Sequence, residues 1–189
     1  MNIPNRLTLV RMIIAPIYLL FMFLPLTHKY LWALIIFAVG AITDALDGKI
    51  ARKYNQITVF GKLLDPVADK MLTTAALLAF LKLGWCSVWI VMIVLTREFA
   101  VTSVRLIASA QGVVIPANIW GKLKTATQLV FTVLIMVLAE LEDSMGVFDG
   151  GSVSLPLISN ILLWITAALA VISGVIYCVR SRKLIDFSK

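Results

Sequence analysis

The sequence predicts an all-α polytopic membrane protein, with six transmembrane helices in one bundle and both termini in the cytoplasm. Three observations predict it. The chain has 189 residues, of which 61% are hydrophobic, and its mean hydropathy is +0.98. Only 14% of residues are charged, where a soluble domain carries about 25%. Apolar runs of roughly the 20 residues that a bilayer span requires recur six times, with short polar breaks between them. Residues 1–189 therefore read as a single membrane domain. The net charge of +7 could suggest nucleic acid, but in so apolar a chain anionic headgroups and topology explain it better. No nucleic-acid partner is expected.

The elements follow in order. Residues 1–6 form a polar lead, and Asn5, Leu7, Thr8 and Arg11 open the first helix. It runs to about Leu26, with Pro16 as a kink site. No small-residue cleavage site follows the apolar run, so it reads as a membrane helix rather than a secretory signal. Thr27, His28 and Lys29 form a turn, and His28, alone beside a loop, is not expected to bind metal. The second helix runs from Tyr30 to about Lys53. The third runs from Gly61 to about Leu83, stopped by Gly84, and tolerates Pro66 only in its first turn. The fourth spans Ser87 to Ser109 and carries Arg97, Glu98 and Arg105. A loop with Gly112 and Pro116 leads to the fifth, from Gly121 to about Leu141. Glu140, Glu142, Asp143 and Asp149 read as an acidic loop before the sixth, Pro156 to Val179. Cys86 and Cys178 fall near opposite faces, which argues against a disulfide between them.

Six spans put both termini on one side. With the N-terminus in the cytoplasm, Lys29 and Lys82 lie outside, and the rest of the 17 basic residues lie on the inner side or in the inner part of helix four. This is the positive-inside asymmetry of a cytoplasmic-membrane protein.

The chemistry gathers between residues 44 and 69, DALDGKIARKYNQITVFGKLLDPVAD. Asp44 and Asp47 are three apart, and Asp65 and Asp69 four apart, so on helices each pair shares a face. Carboxylates beside a bilayer are costly and mark function. Four of them in one place need cations. A donor set of oxygens, without His or Cys, favours Mg²⁺ or Mn²⁺, which in turn hold phosphates. Gly48, Ala51 and Gly61 leave room on that face, and Arg52 adds a cation at its edge.

The pattern D-x-x-D-G-x-x-A-R-x8-G-x-x-x-D-x-x-x-D resembles the signature of the CDP-alcohol phosphatidyltransferases. Asp44, Asp47, Gly48, Ala51, Arg52, Gly61, Asp65 and Asp69 fill its eight fixed positions. The resemblance implies a CDP-diacylglycerol donor, an alcohol acceptor and two divalent ions held by Asp44, Asp47, Asp65 and Asp69. It implies that Asp69 is the general base, that Gly48, Ala51, Gly61 and Arg52 border the nucleotide, and that the protein is a homodimer surrounded by membrane lipids, with its active site facing the cytoplasm. NIPNRLTLVR at the start, TREF at 96–99 and GKLKT at 121–125 resemble the branch that uses glycerol 3-phosphate, in which Asn5 and Thr8 lie near the nucleotide.

Arg105, Lys122 and Lys124 flank the cytoplasmic loop between helices four and five. Such a group fits a phosphate on the acceptor through charge-assisted hydrogen bonds. Arg97 and Glu98 read as a buried ion pair bracing helix four. Two other readings compete. One is a sister transferase that takes inositol phosphate or phosphatidylglycerol. The other is a divalent-cation transporter with the aspartates as its ion path, against which stands their grouping at one interface.

Overall fold

The computed structural model describes residues 3–54, 59–113, 119–148 and 153–182; within them, nothing is described of the side chains of residues 3–7, 44–54, 59–66, 69 and 110. The described chain is all helix: α1 (Ile3–Phe23), α2 (Lys29–Tyr54), α3 (Val59–Lys82), α4 (Val88–Ala110), α5 (Ile119–Met145) and α6 (Leu155–Ser181).

Local chemistry sets the ends of these helices. Gly84 sits at φ +77. Its N–H donates to the Leu81 carbonyl at 3.1 Å, and the Trp85 N–H donates to the Phe80 carbonyl at 2.8 Å. This paired closure satisfies the last carbonyls of α3 and needs a left-handed residue, which glycine adopts at no steric cost. Gly112 ends α4 in the same way, with the Val113 N–H on the Ala108 carbonyl. Ser87 opens α4 by accepting the Trp89 N–H on its hydroxyl, as an N-cap serine does.

Three expectations change. α5 continues to Met145, so Glu140, Glu142 and Asp143 lie in its last turns rather than in a loop. Their partners explain the extension: Glu140 accepts the Leu31 N–H at 3.1 Å, and Glu142 accepts the Phe148 N–H at 2.7 Å. His28 is not alone either. It takes a left-handed conformation, φ +58, and its Nδ1 lies 2.5 Å from Glu140 Oε1. Finally, α3 runs unbroken through Pro66, in its second turn. Proline's φ is already helical, but beyond the first turn it removes one hydrogen bond and its ring crowds the carbonyl four residues back, so packing must offset that cost.

The helices close into a ring. α1 packs on α2 and α3, α2 on α5, α5 on α6, α6 on α4, and α4 on α3. The cyclic order is therefore α1–α2–α5–α6–α4–α3. Tyr18, Phe37, Phe80, Ile90, Ile135 and Leu163 are fully buried and fill its centre. The Tyr18 and Phe37 rings meet at 5.8 Å, and Trp85 closes one end against Tyr30 and Phe80. Both cysteines are free. Burial pushes the Cys86 thiol, between α3 and α4, up to about 12, so it carries no thiolate near neutrality.

The outer surface is apolar: Trp89, Ile13, Val130 and Val175 are all more than half exposed. Among the described residues, α5 and α6 are each long and apolar enough to cross a membrane, and the apolar parts of α1 and α2, Thr8–Phe23 and Lys29–Thr43, are shorter. Both α5 and α6 expose most of their apolar surface, which suits a lipid surrounding better than a soluble core.

Gly40 of α2 lies against side chains of both α1 and α3. A Cβ there would lie 2.7 Å from Leu72 Cδ2 and 3.2 Å from Ile14 Cγ2. Overpacking of this kind costs about 1–3 kcal/mol. Gly40→Val should therefore lower the thermal unfolding midpoint in detergent, and an unchanged midpoint would rule out this close approach.

Candidate active site

Among the described residues, one carboxylate organises the polar interior. Glu98 of α4 is buried, 8% exposed. Its Oε2 lies 3.0 Å from Lys70 Nζ of α3. Its Oε1 meets Arg97 Nη1 at 3.2 Å and is also hydrogen-bonded by Lys124 Nζ of α5. Arg97 Nε then donates to Ser173 Oγ of α6 at 3.2 Å. Small residues make room for that reach. A Cβ at Gly174 would lie 3.1 Å from Arg97 Cγ, and one at Gly121 would lie 3.4 Å from Arg97 Nη2. Four helices are thus tied through one acidic group and its neighbours.

The cluster forms one wall of a chamber of about 520 Å³, lined also by Thr102, Arg105, Lys122, Thr125 and Tyr177. Among the described residues, no close packing joins α4 directly to α5, and the chamber fills that gap. Arg105 Cζ stands 6.0 Å from the centre of the Tyr177 ring. Tyr177 is 4% exposed, and its buried hydroxyl finds no hydrogen-bond partner among the described residues. A buried, unsatisfied hydroxyl costs about 1–3 kcal/mol, an arrangement that suits a group able to meet a polar ligand.

A second cavity, of about 590 Å³, adjoins the first between α1, α3 and α4. Its lining is almost wholly apolar, with Leu19, Val67, Met71, Leu78, Phe99 and Leu106 among its residues. The two cavities share two lining residues, Lys70 and Thr102. A greasy groove and a cationic chamber therefore meet at the helical turn that carries Asp69.

Of the expected site residues, Asp44 and Asp47 fall on α2, and Asp65 and Asp69 on α3. These two helices touch each other, and both pack on α1. The side chains of the four aspartates lie outside the described residues, as do those of Asn5, Arg52 and Ala51 and the surroundings of Gly48 and Gly61. Thr8 is buried within α1. Arg105 and Lys122 line the chamber, whereas Lys124 is buried at 1% exposure against Glu98. The Arg97–Glu98 pair is present, but as part of a larger cluster. Lys70, Ser173 and Tyr177 were not singled out by the sequence. Lys70 had one available signal, its place directly after the last aspartate of the motif. Ser173 and Tyr177 sit in an apolar run and gave none.

Comparison with known proteins bears on the family of the chain. The family model for CDP-alcohol phosphatidyltransferase matches residues 1–172. A CDP-diacylglycerol–glycerol-3-phosphate 3-phosphatidyltransferase of Bacillus subtilis (strain 168) is 35% identical over 185 residues, covering 92% of this chain and 91% of its own. The protein of the same name from Rickettsia typhi is 34% identical over 176 residues, covering 93% of this chain and 94% of its own. A probable phosphatidylglycerophosphate synthase of Mycobacterium tuberculosis is 43% identical over 134 residues, covering 68% of this chain and 63% of its own. The eight-position aspartate pattern, the helical bundle and these relatives agree, and the chain belongs to the CDP-alcohol phosphatidyltransferase family.

Proposed function

We propose that the protein transfers the phosphatidyl group of CDP-diacylglycerol to glycerol 3-phosphate, giving phosphatidylglycerophosphate and CMP. The observation that carries this reading is the meeting of an apolar groove with a cationic chamber at Lys70 and Thr102. A lipid donor and a charged, water-soluble acceptor need such a junction, and polar groups are tolerated within a membrane where they line a cavity. The names of the relatives support the same donor and acceptor.

In this reading the donor's acyl chains lie along the groove, and glycerol 3-phosphate enters the chamber with its phosphate on Arg105 and Lys122. Lys124 acts behind the wall by holding Glu98. Asp69 accepts the proton of the attacking hydroxyl as the new oxygen–phosphorus bond forms and the bond to CMP breaks. Gly48, Ala51, Gly61, Arg52, Asn5 and Thr8 border the nucleotide. Asp44, Asp47, Asp65 and Asp69 supply an all-oxygen donor set, at helical spacing, on two helices that touch. That set suits two Mg²⁺ or Mn²⁺ ions. When bound, such ions polarise the diphosphate and offset charge on the departing CMP.

The full topology is six spans with both termini in the cytoplasm, in the cell membrane, as a homodimer with its active site facing inward. The basic residues near Arg105, Lys122 and Arg180 to Arg182 support that orientation. Membership in a transferase family speaks against the cation-transport reading.

Turnover by the purified full chain in mixed micelles tests the acceptor. CDP-diacylglycerol with Mg²⁺ should release CMP when glycerol 3-phosphate is added, and not with serine or inositol phosphate. Release with inositol phosphate alone would overturn the choice of acceptor. Asp69→Asn should lower kcat by about 100-fold or more in a protein whose unfolding midpoint is kept, and full activity would remove Asp69 from the mechanism. Loss of one charge-assisted contact is worth about 1.5 kcal/mol or more, or roughly tenfold in binding. Arg105→Gln should accordingly raise KM for glycerol 3-phosphate about tenfold while KM for the lipid donor stays put.

A further inference from the structure

We infer that Lys70 is a further catalytic residue, whose ammonium contacts the phosphoryl group during transfer. The inference rests on the transferase reading proposed above and adds a group to its chemistry. Lys70 is the one charged residue, among those described, that lines both the apolar groove and the cationic chamber. In a reaction between a lipid held in one and an alcohol phosphate held in the other, the atoms that change bonds sit where the two join.

The side chain suits that position. It springs from α3 directly after Asp69, and it is 29% exposed, so it reaches the open space. Its Nζ is steadied by Glu98 Oε2 at 3.0 Å, on a carboxylate that Arg97 and Lys124 also hold. Glu98 therefore fixes the ammonium without depending on it. A lysine fixed in this way presents a compact charge with three donors. As the acceptor oxygen binds phosphorus and the bond to CMP breaks, negative charge spreads over the phosphoryl oxygens. A pre-positioned cation favours that distribution over the ground state. The proton of the attacking hydroxyl goes to Asp69.

Removing Lys70 leaves Glu98 two cationic partners. The full chain and its Lys70→Met and Lys70→Arg variants are compared in mixed micelles with CDP-diacylglycerol, glycerol 3-phosphate and Mg²⁺. Loss of one transition-state contact lowers kcat about 100-fold. We expect that loss in Lys70→Met, with KM for glycerol 3-phosphate little changed and the unfolding midpoint kept. Lys70→Arg, which restores a cation, should regain part of kcat. Unchanged kcat in folded Lys70→Met overturns the inference. So does a raised KM with kcat intact, which would make Lys70 an acceptor-binding group. A fall in unfolding midpoint that Lys70→Arg reverses without regaining kcat overturns it as well. If the unaltered chain releases no CMP with glycerol 3-phosphate, the proposed function fails instead, and the two failures are distinct.

Discussion

The buried carboxylate of Glu98 is the constraint on which the rest of the interior depends. Three cations from three helices meet it: Lys70 of α3, Arg97 of α4 and Lys124 of α5. Holding charges away from water costs several kcal/mol each, and in a membrane the alternatives are worse. A bundle seeking only stability would fill this space with leucine. Here the cations are kept together in one wall, and the carboxylate offsets part of their mutual repulsion.

The shape of the bundle follows from the same demand. Among the described residues α4 and α5 pack only loosely, and the Lys124–Glu98 contact bridges them. Gly121 and Gly174 let Arg97 lie between α5 and α6. On the other side of the ring, Gly40 lets α2 approach α1 and α3 closely. Small residues are thus used for opposite ends, to seat a bulky cation in one half and to bring backbones together in the other.

Much of this was legible in the sequence. Six apolar runs gave six helices, because length and hydropathy are local properties. Gly84 ended α3 as expected, since only one residue type closes a helix that way cheaply. The family was legible because eight fixed positions rarely coincide. What escaped depended on partners distant in the chain. Glu140 reads as a loop residue until His28 and Leu31 are seen against it. Lys122 and Lys124 look alike in sequence, yet one lines the chamber and the other is sealed behind Glu98. Tyr177 sits in an apolar run with nothing local to mark it, and only the packing of α4 beside α6 puts it under Arg105.

The cyclic order of the helices has a consequence for the polar compartment. The ring closes only when α6 docks between α5 and α4, and α6 brings both Ser173 and Tyr177 to the chamber. Helices α1 to α5 hold most of the apolar core but leave the polar compartment without the wall that α6 supplies.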